Sequence, residues 1–451
     1  MRSVTQLWHS WNQDRLLRTI TRNTGYLFSG NTIGMVLSSA GGILAAYLLG
    51  AADYGVLGLV ILFASSVNRL LSFRMGEVVV KYAGQDLATG QRERAAALIK
   101  AAGATEALTS GIAYLLLVLL APLAATYIVK EPASVPWIRF YGLALLANLV
   151  TETGTAVLQL GNHYRSQAAL TLAQSLVTTV WIGVACLTGG GVMMVLCAYL
   201  AGKAVFGLGI LVNAWRWLTP LLGRGWWRTP LARIENRRTV LRFAISTNLS
   251  GTVNMIIRDS EVLWVGFFFG KLEAGYYKFA LAIMNIILMP ITPFVTTTFP
   301  EISRSVATRS WQTLRAILKR TTWIAAGWTI WCGLCAAALG PWLLGWFKQG
   351  QYLPSYAAIL ILLLGYGVAN TFFWNRPLLL AFGLPDYPLL ATLGVGAVKT
   401  ALMFVLVRPL GFLAQAALLS GYFVLSVGLI VRRGLVEVRR AEAADAAEAQ
   451  A

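Results

Sequence analysis

Charge is scarce in this chain. Asp, Glu, Lys and Arg together make up 12% of its 451 residues. A soluble domain carries about twice that share, so a soluble fold could not cover its apolar surface. Histidine occurs only at His9 and His163. No His, Cys and carboxylate group has metal-ligand spacing, which excludes a metal centre of the usual pattern. The four cysteines, Cys186, Cys197, Cys332 and Cys335, all lie in apolar stretches, so no disulfide framework is expected. Cys332 and Cys335 form a CxxC, but it sits in a Trp/Ala/Leu run rather than the electropositive loop a redox pair needs. No G-x-x-x-x-G-K-[ST] run is present, which excludes a P-loop. No connection is long enough to hold a soluble catalytic domain. The Arg-rich start has no nearby small-residue cleavage site, so no cleavable signal is expected.

What is abundant is apolar sequence: 57% hydrophobic residues and a mean hydropathy of +0.66. A bilayer span takes about 20 apolar residues. Twelve stretches qualify, at about 27–49, 55–73, 102–124, 138–160, 167–187, 191–213, 246–269, 276–298, 321–345, 356–378, 387–407 and 410–431. Each span must satisfy its own backbone in lipid, so helices are expected. The alternation of barrel strands is absent.

The net charge of +19 sorts by side. With the N-terminus placed in the cytosol, twenty-six of the 37 cations fall on the inner side and six on the outer side. That is the positive-inside pattern, and it puts both termini in the cytoplasm. Most of the basicity therefore marks orientation and contact with anionic membrane lipid. Basic residues spread over many short loops argue against a nucleic-acid partner. Trp215, Trp217, Trp226 and Trp227 lie among arginines between spans six and seven. They read as an interfacial segment with Trp at headgroup depth, or as a partner-binding helix. The acidic, Ala-rich stretch Ala441–Ala451 reads as a disordered tail.

A shift of about 220 residues brings the two halves into register. Gly50 meets Gly270, Gly55 meets Gly275, Arg22 meets Arg242 and Lys100 meets Arg320. Gly161 meets Gly383 at a slightly larger shift. Two six-helix lobes follow. Residues 1–230 form an N-terminal lobe that includes the basic Trp-rich linker. Residues 231–451 form a C-terminal lobe that includes the tail. Six is even, so the repeat is parallel, about an axis along the membrane normal.

Ionisable groups within spans are costly and face a cavity or a partner. The in-span cations are Arg69, Lys203, Arg258, Arg376 and Lys399; the anions are Glu106, Glu152, Asp259 and Glu261. The cations are candidates for holding phosphate groups through charge-assisted hydrogen bonds. Interhelical ion pairing, such as Arg69 with Glu152, is the competing reading. Lys203 and Lys399 stand mid-span with no carboxylate beside them in sequence. Asp259, Glu261 and Glu152 are candidates for proton or sodium coupling, with a structural pair as the alternative. Adjacent helical residues point in different directions, so Arg258, Asp259, Ser260 and Glu261 cannot all face one cavity. Pro290 and Pro293, near Asn285, are hinge candidates or a static kink. Gly41-Gly42 and Gly365/Gly367 permit close helix packing.

Several stretches resemble a known family. Tyr47–Gly55 (YLLGAADYG) resembles the junction after the first helix of bacterial polysaccharide exporters. Asp259–Gly266 (DSEVLWVG) with Gly270–Ala280 (GKLEAGYYKFA) resembles their seventh-helix pattern. Phe299–Ser303 resembles the end of helix eight, and Leu379–Gly383 the turn after helix ten. The family is the Wzx-like oligosaccharide flippase branch of the multidrug/oligosaccharidyl-lipid/polysaccharide (MOP) superfamily. The resemblance implies twelve helices in two lobes and no enzymatic activity. It implies translocation of a polyprenyl-diphosphate-linked oligosaccharide, such as an O-antigen (lipopolysaccharide), exopolysaccharide or capsule unit, across the bacterial cytoplasmic membrane. No cofactor is implied, though a proton or sodium gradient could drive the step. A glycan polymerase and other assembly proteins are the implied partners. Arg258 and Lys399 depart from the family pattern and leave the coupling role of Asp259 open. A multidrug cation antiporter of the same superfamily and a non-transporting component of a polysaccharide assembly complex are the alternatives.

Overall fold

The computed structural model describes residues 15–71 and 75–448. Among the described residues the chain is helix, turn and coil, without strands. Ten helices among the described residues are long and apolar enough to cross a membrane. Two features account for the difference from the twelve expected spans. The first candidate, Gly30–Leu71, has 42 residues, about 60 Å of helix against a hydrocarbon core of about 30 Å. It bends at Gly50, whose φ of 74° and ψ of 175° are not helical, and so carries two spans. The expected span at 246–269 is broken and rich in polar residues, and it falls outside the ten.

In chain order the main helices are α1 (Arg15–Leu71), α2 (Arg92–Ala124), α3 (Val135–Ala147), α4 (Thr151–Leu160), α5 (Tyr164–Thr188), α6 (Val192–Leu222) and α7 (Arg237–Asn254). There follow α8 (Glu261–Phe268), α9 (Lys271–Leu288), α10 (Thr292–Ala307), α11 (Trp311–Trp346), α12 (Ser355–Thr371), α13 (Asn375–Ala381), α14 (Asp386–Leu410) and α15 (Phe412–Glu448). Spans four and ten are each two helices. They break at 148–150, between α3 and α4, and at 372–374, between α12 and α13. Pro290 lies in the 3-10 turn Met289–Ile291 between α9 and α10. Pro293 sits in the first turn of α10, where a missing N–H costs no helical bond; its side chain lies outside the described residues.

The turns carry the repeat more sharply than the sequence does. Left-handed backbone recurs at Gly50 and Gly270, Gly90 and Arg309, Lys130 and Gly350, Asn162 and Gly383, and Gly189 and Gly411. Each pair is about 220 residues apart. Five matching chain reversals are a backbone signature of duplication, since φ > 0 is costly for most residues.

The chain folds into two compact units. One contains the described residues up to Leu48, with Val60–Ala125 and Pro132–Thr252; the other contains Leu49–Leu59, Thr126–Glu131 and Val253–Ala451. The lobes 1–230 and 231–451 are a division by sequence, whereas these units are a division by packing. Within the second unit, the aligned glycines Gly55 and Gly275 face each other. A Cβ on Gly55 would overlap the Lys271 carbonyl oxygen, and a Cβ on Gly275 would overlap that of Ala51. Ala51 and Lys271 are themselves repeat partners, so the contact is reciprocal, as a twofold axis requires.

At the basic end of the first unit, Val78, Ile99, Val157, Leu218 and Trp226 share one apolar core. The linker is bound to it. The Lys100 Nζ donates to the carbonyls of Thr229 (2.5 Å) and Trp227 (3.3 Å). Arg233 pairs with Glu93, and Arg94 with Glu235. Trp226 is therefore a core residue rather than a headgroup anchor, while Trp215 and Trp227 stay exposed. In the second unit, Ile302, Leu314, Trp374 and Val438 form the corresponding core. The tail is corrected too: α15 runs to Glu448. Asp445 accepts from Arg309 (2.9 Å) and from the Trp311 indole (2.6 Å), and Glu442 pairs with Arg315. These anchors hold as helix a stretch whose composition alone reads as disordered. Arg2, His9, Arg74 and residues 449–451 lie outside the described residues.

The reciprocal glycine contact gives a direct test. Gly275→Leu should force the two backbones apart at a cost of about 1–3 kcal/mol, lowering the thermal midpoint of the detergent-solubilised protein. Gly421→Leu, where a Cβ meets nothing within 4 Å, should leave it unchanged.

Candidate functional site

In lipid, a helix break frees backbone groups that water cannot satisfy. The break in span seven is a π-turn at Met255–Asp259. Lys399, from mid-α14, donates to the freed carbonyl of Ile257 at 2.8 Å and pairs with Glu261 at the start of α8. Gln415 Nε2 (2.7 Å) and the Tyr277 hydroxyl (3.0 Å) donate to the other Glu261 oxygen. Glu261 and Lys399 are 1% and 3% exposed. The expectation that Lys399 stands without a carboxylate neighbour is thus corrected: its partner comes from another helix. Two of the three Lys399 ammonium donors and both Glu261 carboxylate oxygens are thus engaged by protein groups.

Helical direction separates the rest of the run. Arg258 and Asp259 open onto a cavity of about 460 Å³ lined also by Asn285, Tyr366, Asn370 and Phe423. Arg258 Nε donates to Asp259 Oδ1 at 3.1 Å, with the guanidinium side chain 53% exposed. Ser260 turns away and donates to the Ile256 carbonyl at 3.0 Å. The polar cavity thus receives one cation and one anion of this segment, and the protein interior takes the other anion.

The first unit satisfies its own break with a carboxylate. Glu106, from α2, accepts from the backbone N–H of Glu152 (2.8 Å) and Thr153 (2.9 Å). These are orphan donors at the start of α4. A cavity of about 210 Å³ beside them is lined by Asn68, Glu106, Asn148, Glu152 and Lys203. Lys203 and Glu152 are therefore brought to one polar cavity. Arg69 lies within electrostatic reach of Lys203 and is exposed. Arg376 is exposed in the first turn of α13.

Sequence reasoning missed Gln415 and Tyr277 as partners of Glu261. The signal for Gln415 was its position as a lone amide in an apolar run. The Lys278 ammonium lies over the Tyr54 ring, 4.0 Å from its centroid, and donates to the Tyr54 carbonyl at 3.4 Å. Neighbouring Lys271 pairs with Glu131 at 2.7 Å.

Broken helices, satisfied inside the bundle and opening onto polar cavities, belong to a chain whose apolar helices make it a multi-pass membrane protein. Residues 43–345 match the polysaccharide biosynthesis protein family, and the chain belongs to that family. No curated protein matches in sequence. Among solved structures, the chain is similar to the lipid II flippase MurJ in an inward closed conformation. The TM-score is 0.72 and the identity 12%, over 92% of this chain and 89% of that one. It is also similar to an inward-facing multidrug resistance MATE family transporter of the MOP superfamily, with TM-score 0.66 and 14% identity over 91% and 95% of the two chains. A third is a MOP superfamily transporter from Pyrococcus furiosus, with TM-score 0.59 and 13% identity over 94% and 96%. At these identities the likeness is one of fold.

Breaking the buried pair from one side leaves an uncompensated charge. Lys399→Met or Glu261→Gln alone should destabilise the protein by about 3–5 kcal/mol. The double variant should recover most of that loss, as read from thermal unfolding in detergent. Equal, additive losses would contradict the pairing.

Proposed function

We propose that this protein is a flippase that moves a polyprenyl-diphosphate-linked oligosaccharide across the bacterial cytoplasmic membrane by alternating access, with both termini in the cytosol. The observation that carries the reading is the Arg258 cavity in a member of the polysaccharide biosynthesis family. An exposed guanidinium there offers bidentate donors to a phosphate. Tyr366 and Phe423 offer ring faces, and Asn285 and Asn370 offer amides, to a sugar. At about 460 Å³ the cavity is in the range of small-molecule sites.

Of the candidate cations, Arg258 has the strongest claim to the phosphate, and Lys203 is a second contact in the first unit. Arg69 and Arg376 are supporting surface charges. With Glu261 tied to Lys399, the coupling role for a proton or sodium gradient passes to Asp259 and Glu152. The transported unit is a repeat of a surface glycan, and the polymerase that extends it is the natural neighbour.

The test is lipid-linked oligosaccharide flipping in proteoliposomes. Arg258→Ala removes charge-assisted hydrogen bonds worth about 1.5–3 kcal/mol, so the initial rate should fall about tenfold or more. Arg258→Lys should retain part of it. Wild-type vesicles that leave the lipid unmoved but exchange organic cations for protons would establish the antiporter reading instead.

A further inference from the structure

The first half of span seven, α7, has two unlike faces. Val240, Phe243 and Ala244 pack onto the first unit's apolar core. Phe243 meets Tyr82 edge-on at 5.6 Å, with the Lys81 ammonium 4.1 Å from its ring centroid. The other face is open. Arg238, Leu241, Arg242, Ile245 and Leu249 line a groove of about 700 Å³. Leu241, Ile245 and Leu249 are 56%, 49% and 61% exposed. Arg238, Arg242, Ile245 and Leu249 follow helical spacing, so they lie on one stripe.

The arginines nearby are engaged: Arg233 with Glu93, Arg94 with Glu235, and Arg237 with the carbonyls of Leu231 and Ile234. Arg238 and Arg242 make no ion pair among the described residues. Two open guanidiniums one turn apart match two adjacent phosphates, and planar forks bind such oxygens bidentately. Leu241 lies between them and Ile245 and Leu249 follow toward the middle of the helix, so that the three apolar side chains run about 12 Å along the axis. A headgroup with two adjacent phosphates on a single long apolar chain fits this stripe. A single-phosphate lipid would use only half of it.

We infer that the Arg238/Arg242 stripe of α7 is a docking surface for the diphosphate and first isoprenoid units of the lipid carrier, separate from the Arg258 cavity. This rests on the flippase reading and names how the carrier, rather than the sugar, is recognised. The surface is rigid because the opposite face of the helix is packed. It therefore presents preformed donors where basic clusters beside a span bind anionic headgroups.

The probe is sugar-free polyprenyl diphosphate added to the purified full chain, with bound lipid read by native mass spectrometry against phosphatidylglycerol. Arg238→Gln/Arg242→Gln should lower diphosphate occupancy at least about tenfold while phosphatidylglycerol changes little. Arg224→Gln/Arg228→Gln, which neutralises two exposed linker arginines, should leave both unchanged. Ile245→Ser/Leu249→Ser keeps the guanidiniums and should weaken polyprenyl diphosphate more than inorganic diphosphate. Undiminished diphosphate capture by the first variant, or an equal loss of both lipids, would overturn the inference. Because the readout is binding, the two claims separate. Capture through these arginines by a wild type that flips nothing would sink the transport reading alone. Flipping with capture unaffected by the variant would sink the docking surface alone.

Discussion

Hydrocarbon offers no hydrogen bonds, and that constraint organises this structure. At three places where a span departs from regular helix, a side chain from another helix meets the backbone beside the break. Glu106 takes the two amides at the start of α4. Lys399 takes the Ile257 carbonyl at the π-turn. The Trp328 indole donates to the Ile287 carbonyl just before the 3-10 turn of span eight (2.8 Å). Each of these breaks is thus tied to a neighbouring helix, and those at Asp259 and at Glu152 sit beside polar cavities.

The in-span charges divide along the same line. Lys399 and Glu261 hold the scaffold as a buried pair, and buried Glu106 does so too while also lining the first unit's cavity. Arg258, Asp259, Glu152 and Lys203 line cavities. Buried pairs of the first kind are weak sources of stability but strongly resist the loss of one partner. Groups of the second kind face open volume. Span seven shows both kinds within four residues, because helical rotation sends Glu261 inward while Arg258 and Asp259 face the cavity.

Much of this was legible before the structure. Hydropathy marked the apolar helices of the described residues, and where ten helices stand against twelve stretches the reasons are local: Gly50 joins two stretches into one long helix, and the polar π-turn interrupts another. The repeat was visible in Gly50/Gly270 and Gly55/Gly275, residues whose backbone leaves no freedom of choice. Pairing across helices was not legible. Lys399 and Glu261 lie 138 positions apart, and nothing local to either reveals the other. The tail failed for a related reason. Ala441–Glu448 reads as solvent-loving by composition, and only the distant Arg309, Trp311 and Arg315 make it an anchored helix. Trp226 illustrates the same limit, since an indole suits both a headgroup layer and a core.

The meeting of Gly55 with Gly275 has a mechanical side. Side chains that interdigitate act as gear teeth: turning one helix against another lifts each knob from its hole. Two bare backbone ridges have no teeth. They can roll through a small angle while keeping van der Waals contact, so the resistance comes from the groups around them, such as Lys271 with Glu131 and Lys278 over Tyr54. A duplicated chain has thereby kept at its symmetry point a bearing surface whose friction is set by its surroundings.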